Sequence, residues 1–321
     1  MGIATVIAHP NIALVKYWGK RHIPLNLPAV PSVSMTLSKY ETKTTVVWGA
    51  DQDEVWVGES PAPAAFAARA LEFLTRIDAN RPPCQIRTFN NFPTAAGLAS
   101  SSSGFAALAL AGLEASGNHP TPAQASVLAR KGSGSACRSL WGGFVAWEMG
   151  SREDGEDCHG VPIADANHWD VAMVVGVVSD KKKSIGSTEA MKITAATSAL
   201  YPTFIKEAEA DVRIAKAAIL SRDLHKLGEV MESSTFKMHA TMHSSSPPIV
   251  YWQPETVACI QAVFGLRQQG IGAWLTMDAG PNIKVLCKAS DASIVQQALL
   301  KHVDVSHILR PGPPPSVIAH D

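Results

Sequence analysis

Residues 93–110 read PTAAGLASSSSGFAALAL. Gly97, Leu98 and Ala99 belong to a run of mostly small residues that lets a ligand come close to the backbone. The run leads into a small-residue helix expected over residues 104–115. The first N–H groups of a helix have no internal partner, and its dipole favours negative charge there. The hydroxyls of Ser100, Ser101, Ser102 and Ser103 add donors, and oxygen ligands that suit Mg²⁺. With Gly104 closing the turn, this is the physics of a phosphate cradle. The G-x-x-x-x-G-K-[ST] pattern is absent, so it is a cradle of another kind. A Ser-rich turn ahead of a core helix is the plain structural alternative.

Four further stretches carry chemistry. Residues 131–139, KGSGSACRS, again expose backbone amides through Ser133, Gly134 and Ser135, here beside the planar guanidinium of Arg138. Residues 11–21, NIALVKYWGKR, interrupt an apolar run with Lys16 and Lys20. If that run is extended, Lys16 and Trp18 share one face, and a lysine inside an apolar strand needs an anion. Residues 278–282, DAGPN, place Asp278 at a turn between two apolar strands, where it either acts chemically or caps backbone N–H groups. Residues 180–188, DKKKSIGST, either form a solvated surface or raise the potential over a polyanion, with Ser187 or Thr188 capping the next helix.

Composition narrows the field. The chain has 321 residues, of which 46% are hydrophobic and 17% charged, enough apolar content for a real core. Lys and Arg number 28, as do Asp and Glu, so no global basic field exists to hold nucleic acid or an anionic membrane. Anions must be bound locally. Cysteines at 84, 137, 158, 259 and 287 form no C-x-x-C and are odd in number, as in a reduced cytoplasmic protein. No signal peptide and no membrane span is expected. Neither G-x-S-x-G nor H-E-x-x-H occurs, and His239 and His243 read as a helix face.

The element pattern is mixed rather than strictly alternating, an α+β arrangement. Strands are expected at residues 44–48 and 54–58, pairing with each other, and at 85–89, 142–148, 171–178, 274–277 and 283–287. Helices are expected at 64–77, 104–115, 121–131, 189–199, 204–220, 224–240, 254–268 and from Ser290 onward. Residues 310–315 read as a loose Pro-rich tail. A soft boundary falls near Asp180, dividing the chain into 1–180 and 181–321 without a flexible linker.

In this order, NIALVKYWGKR, NFPTAAGLASSSSG, KGSGSACRS, GGFVAWEMG (142–150) and DAGPN resemble the mevalonate diphosphate decarboxylases of the GHMP kinase superfamily. The resemblance spans nearly the whole chain. It implies a two-part fold: an N-terminal part like the second domain of ribosomal protein S5 and a C-terminal ferredoxin-like part, with the active cleft between them. It implies that ATP phosphorylates the 3-hydroxyl of mevalonate 5-diphosphate, and that phosphate and CO₂ then leave to give isopentenyl diphosphate. Asp278 matches the catalytic Asp, Lys16 its partner, and Arg138 the residue that holds the substrate carboxylate. Ser101 matches the serine that meets the ATP γ-phosphate or its Mg²⁺. Gly97, Leu98, Ala99, Ser100, Ser102 and Gly104 complete the ATP site. Asn11, Tyr17, Lys20, Arg69, Ser133, Gly134, Ser135, Ser187 and Thr188 fall at substrate positions, although Thr188 stands where some bacterial members carry Arg. No further organic cofactor is implied, and a homodimer is the family habit. The alternatives are a decarboxylase for mevalonate 5-phosphate, a kinase that stops after phosphorylation, and a non-catalytic nucleotide- or metabolite-binding protein.

Overall fold

The computed structural model describes residues 2–92, 100–181 and 183–318. It builds two parts around a shared core. The first part holds a six-stranded sheet in the order β16 (Ser316–Ile318), β1 (Ile3–Ala8), β6 (Thr42–Trp48), β9 (Cys84–Asn90), β7 (Glu54–Val57) and β8 (Ser60–Pro61). Strand β6 alternates inward and outward residues, as its β-branched sequence predicts. Helices α1 (Ala64–Leu74), α2 (Ser100–Ala115) and α3 (Pro122–Gly132) belong to the same part. Small residues cover α2 on all sides and bury it: Ala106, Ala107, Ala109 and Ala111 are fully enclosed. Gly112 is required there, because a Cβ would lie 2.7 Å or less from Leu74 and Ile77 side-chain atoms. Thr121 caps α3 in a reciprocal box with Gln124, and Pro122 opens the helix.

A second sheet runs β11 (Gly160–Ala164), β10 (Phe144–Trp147), β5 (Ser32–Thr36) and β2 (Asn11–Val15). A short hairpin pairs β3 (Lys20–His22) with β4 (Leu27–Pro28). Period-two alternation decides what β2 and β5 do. Ile12, Leu14, Val33 and Met35 enter the shared core. Asn11, Ala13, Ser32 and Ser34 therefore face the other way, toward the site.

The C-terminal sheet runs β13 (Ala273–Met277), β14 (Ile283–Lys288), β12 (Val171–Val177) and β15 (Val305–Leu309), all antiparallel. Its helices are α4 (Ser187–Thr197), α5 (Tyr201–Ser221), α6 (Leu224–His243), α7 (Pro254–Gln268) and α8 (Ala292–Leu299). On β12, Val171, Met173 and Val175 join the core with Val212, Leu227 and Met231 of α5 and α6, while Ala172 and Val174 pack with Val263 and Val295 of α7 and α8. Both faces are covered, as the unbroken apolar run requires. Because Ile12, Val33 and Leu227 share one core, no linker separates the two parts. No helix among the described residues is long and apolar enough to cross a membrane.

Four expectations need correction. The helix after the cradle starts at Ser100, so the four serines form its first turn instead of a loop. Strand β7 pairs in parallel with β9 and not with β6, whose edges are taken by β1 and β9. The extended run from Asn11 ends at Val15, so Lys16 and Trp18 do not share a strand face. Gly19 turns the chain at φ +98°, so close to Tyr201 that a Cβ would overlap its hydroxyl. Finally, residues 310–315 are not loose. Ser38 N–H donates to the Arg310 carbonyl at 2.8 Å, Gly312 N–H to Thr36 at 2.7 Å, and Gly143 N–H to Gly312 at 2.9 Å. These bonds satisfy backbone groups left over beyond β5, and β16 then pairs with β1. Strand β12, although it precedes Asp180, is hydrogen-bonded to β14 and β15.

Candidate active site

Asp278 lies on the turn between β13 and β14, and a lysine holds each of its carboxylate oxygens. Lys16 Nζ is 2.8 Å from Oδ1 and Lys284 Nζ is 2.9 Å from Oδ2. Lys16 follows directly on the end of β2, while Lys284 is the second residue of β14, opposite Thr276 in register. Both lysine side chains are essentially enclosed, and Asp278 is one-third open at 33% exposure. Burial by itself would raise the Asp278 pKa. The two ammonium groups outweigh it and hold the carboxyl far below the usual carboxylate range. Burial brings Lys16 down to about 8, against the opposing pull of Asp278. Lys16 Nζ also donates to the Ala13 carbonyl at 2.9 Å, and its backbone N–H to Ser234 Oγ at 3.0 Å, which fixes it across the junction of the two parts.

Arg138 forms the second wall. It sits in the 3-10 segment Gly134–Leu140 and is 2% exposed. Its Nη1 donates to Ser32 Oγ at 2.6 Å and its Nε to Asn11 Oδ1 at 3.2 Å. Asn11 Nδ2 in turn donates to the Ser135 carbonyl at 3.0 Å and Ser139 Oγ at 2.8 Å. The guanidinium stacks 5.6 Å from the centre of the buried Trp147 ring. Arg138 and the Asp278 pair feel each other: the guanidinium lowers the Lys16 pKa, and Asp278 pulls the Arg138 pKa up against burial.

The cradle joins this network through Asn11. Ser102 Oγ accepts from the Asn11 backbone N–H at 3.4 Å and is fully buried, so its hydroxyl is engaged inside the fold. Ser101, in contrast, is exposed at the first turn of α2, and Ser133 Oγ donates to it at 3.4 Å. Ser100 and Gly104 share that first turn. Gly97, Leu98 and Ala99 lie outside the described residues.

Tyr17, one of the positions that the resemblance assigns to substrate, lies beside Arg138. Tyr17 packs on Trp147 with ring centres 4.7 Å apart, and its buried Oη finds no partner among the described residues. Gly134 leaves room for both rings; a Cβ there would stand 2.9 Å from each. Lys20 donates to Asn26 Oδ1 at 2.6 Å, and its pKa is lowered by burial and by the charges of Arg69 and Lys192. Arg69 donates to the Gly132 carbonyl at 2.8 Å and covers the Phe105 ring. Ser133 and Ser135 flank Gly134 and are partly open. Ser187 accepts from Lys183 Nζ at 2.8 Å, and Lys183 also donates to the Ala279 carbonyl next to Asp278 at 2.9 Å. Thr188 is exposed in the first turn of α4, and no contact among the described residues ties it to the cluster.

The sequence reading missed Lys284, Ser32, Trp147 and His239. Lys284 carried the same signal as Lys16, a lysine in an apolar strand. His239, read as a helix face, is 1% exposed; its Nδ1 accepts from the Trp252 indole at 3.0 Å. Burial and the nearby charge of Lys16 drive its pKa down to about 3, so it is a neutral ring beneath Asp278.

Comparison with known proteins bears on the chain as a whole. The diphosphomevalonate decarboxylase-like N-terminal domain model matches residues 8–160, and the mevalonate 5-diphosphate decarboxylase C-terminal domain model matches residues 173–310. The diphosphomevalonate decarboxylase of Candida albicans is 39% identical over 318 residues, covering 93% of this chain and 88% of the relative. The Saccharomyces cerevisiae enzyme of the same name is 39% identical over 90% of this chain and 79% of its own. Among solved structures, mevalonate diphosphate decarboxylase from Staphylococcus aureus superposes with a TM-score of 0.94 at 34% identity, over 99% of this chain and 98% of that one. The structure of MDDEF in complex with MVAPP, AMPPCP and magnesium gives 0.92 at 34% identity, over 99% of both chains. With both halves matched and relatives above 30% identity along most of its length, this chain belongs to the diphosphomevalonate decarboxylase family.

Proposed function

We propose that this chain catalyses the ATP- and Mg²⁺-dependent decarboxylation of mevalonate 5-diphosphate to isopentenyl diphosphate, with release of ADP, phosphate and CO₂. The observation that carries it is the Asp278 carboxylate held between Lys16 and Lys284, with the buried Arg138 close enough to feel the charge of Asp278 and act on Lys16.

In the first step Asp278 is ionised at any physiological pH and is a weak base. It orients the tertiary hydroxyl, and takes its proton late, when the phosphoryl bond is already forming. That suits a loose phosphoryl-transfer transition state, which needs positioning and charge stabilisation more than a strong base. Lys16 has one N–H left after Ala13 and Asp278, and aims positive charge at the arriving phosphoryl group. Ser101 offers a hydroxyl oxygen, a donor of the kind Mg²⁺ accepts beside phosphate oxygens, and the α2 amides take the remaining phosphate charge. When bound, Mg²⁺ neutralises charge on the transferring phosphate.

In the second step Arg138 holds the substrate carboxylate. Two of its five N–H groups are fixed on Ser32 and Asn11, which locks the fork while leaving donors for a ligand. The C3–O bond breaks with its electron pair going to phosphate, and the pair of the C–CO₂⁻ bond becomes the new C=C bond. No electron-sink cofactor is needed. Lys20, Arg69, Tyr17, Ser133, Gly134, Ser135 and Ser187 receive the diphosphate; Thr188 has the weakest claim. This concentration of cations and hydroxyls favours the diphosphate over the 5-phosphate. Asp278 clamped by two lysines favours an enzyme over a binding protein. Residues 1–180 supply the cradle and Arg138, and residues 181–321 supply Asp278. A homodimer located in the cytoplasm completes the proposal.

The test is a coupled assay with MgATP and each mevalonate phosphate, following ADP and CO₂ together. Equal amounts of both, with the diphosphate preferred, are expected. ADP without CO₂ would make the chain a 3-kinase, and turnover of only the 5-phosphate would reassign the substrate.

A further inference from the structure

Lys284 has no role in the chemistry just described, yet its position is demanding. It stands in the central strand of a fully covered sheet at 1% exposure, between β13 and β12. An ammonium group in such a place survives only if an anion answers it. Asp278 does so, but Asp278 also answers Lys16. Arg138, equally buried, is hydrogen-bonded among the described residues to neutral groups alone, Ser32 and Asn11. The charged groups that meet here are thus Lys16, Lys284 and Arg138 against Asp278, with Lys183 nearby on the Ala279 carbonyl and His239 neutral beneath. The cleft is preset with more positive than negative charge.

The two lysines differ in their attachment. Lys284 and Asp278 belong to one hairpin, so their contact is local to the C-terminal sheet. Lys16 comes from the other part of the molecule. Consider the moment after phosphoryl transfer. A dianionic phosphate then sits on the oxygen that Asp278 had oriented; once Asp278, a weak base, has released to solvent the proton it took, the two negative groups face each other. Both call on Lys16.

We propose that Lys284 is the resident counter-charge of Asp278, and that it frees Lys16 to follow the phosphoryl group onto the substrate and hold the phosphate as it leaves. Lys284 is then a positioning residue for the second step. The C3–O bond breaks with its pair on the phosphate oxygen; Lys16 receives that oxygen, while Asp278 stays neutralised by Lys284. No proton is consumed or released in that exchange. This inference rests on the reading given under Proposed function.

The experiment separates the two steps. Lys284→Met and Lys284→Gln remove the charge, and Lys284→Arg keeps it. Wild-type protein is run first with MgATP and mevalonate 5-diphosphate. Equal ADP and CO₂ there sustains the reaction itself, and their absence would overturn the function rather than this proposal. In single turnovers, the neutral variants are expected to form ADP within about 10-fold of the wild-type rate, but to release CO₂ about 100-fold more slowly, so that the 3-phosphorylated intermediate accumulates. Lys284→Arg is expected to restore most of the CO₂ rate. A merely structural role would slow both steps together, and that result, or no change in either, overturns the proposal. Should the neutral variants fail to fold, the unmodified protein still decides the matter. The lysine ¹⁵Nζ signal absent from Lys284→Arg should keep its shift when ADP and inorganic phosphate are added, while that of Lys16 moves. A shift confined to Lys284 would overturn the assignment.

Discussion

Replacing Asp278 by Asn tests the centre of the site most directly, because the change is nearly isosteric and removes only charge. The Asp278 oxygens accept from Lys16 at 2.8 Å and from Lys284 at 2.9 Å. An amide can still accept from one lysine, but its NH₂ must face the other. Breaking a buried ion pair by neutralising one partner costs about 3–5 kcal/mol, since a buried charge is left without an answer. The loss should depend on pH. In the wild type, Lys16 has a folded pKa near 8 against 10.5 unfolded, so its buried charge weighs on stability below about pH 8. That burden, about 3 kcal/mol for a depression of this size, is relieved as pH rises from 8 toward 10.5. Above pH 10 Lys16 is neutral with or without Asp278, and its share of the loss disappears. Urea unfolding at pH 7 should therefore show a deficit of about 3–5 kcal/mol that shrinks by at least about 1 kcal/mol at pH 10. Single-turnover phosphorylation should fall by about 10²–10⁴ at both pH values, while MgATP affinity, set at the first turn of α2, changes by less than about threefold. A variant as stable as the wild type at pH 7, or a deficit independent of pH, would refute the clamp.

Three other outcomes are expected. Arg138→Lys cannot reach Ser32 and Asn11 at once from a single nitrogen, so phosphorylation should persist while CO₂ release drops by about 10²-fold, read from the ADP-to-CO₂ ratio. Gly134→Ala drives a methyl against Tyr17 and Trp147, each 2.9 Å away, and should cost about 1–3 kcal/mol of stability and raise KM for the diphosphate substrate; calorimetric titration and thermal unfolding check both. The kcat/KM profile should fall as pH rises through about 8, when Lys16 loses its proton in the free enzyme, and Lys16→Met should flatten that limb.

The sequence made some of this site legible and hid the rest for identifiable reasons. Arg138, Ser133 and Gly134 stood out as small residues beside a guanidinium, although a flexible Gly/Ser loop with a solvated arginine fitted that stretch slightly better; the structure buries Arg138 instead. Asp278 was visible only through its turn, and taken alone a backbone cap was the better local reading. What decides between them is Lys16, whose partner lies at the other end of the chain and leaves no local trace. Lys284 and Ser32 were hidden for the same reason: each looks like an ordinary strand residue until register sets its face. Ser102 shows the opposite failure. Composition placed it among the phosphate donors, but starting the helix at Ser100 turns its hydroxyl inward onto Asn11. The partner of β7 could not be read from two adjacent strand-like segments, because sheet order depends on β9, which comes after an intervening helix.

The strap formed by residues 310–318 has a bearing on how the protein is made. Strand β1 leaves the ribosome well before β16, which covers one of its edges. Until β16 emerges, the edge of β1 offers unpaired backbone groups to any neighbouring nascent chain. The carbonyl of Thr36 likewise waits for the Gly312 N–H. An N-terminal fragment translated alone would keep that raw margin permanently. Chaperone demand during synthesis should therefore track the delay before β16 appears, and not the folding speed of the part that contains α2.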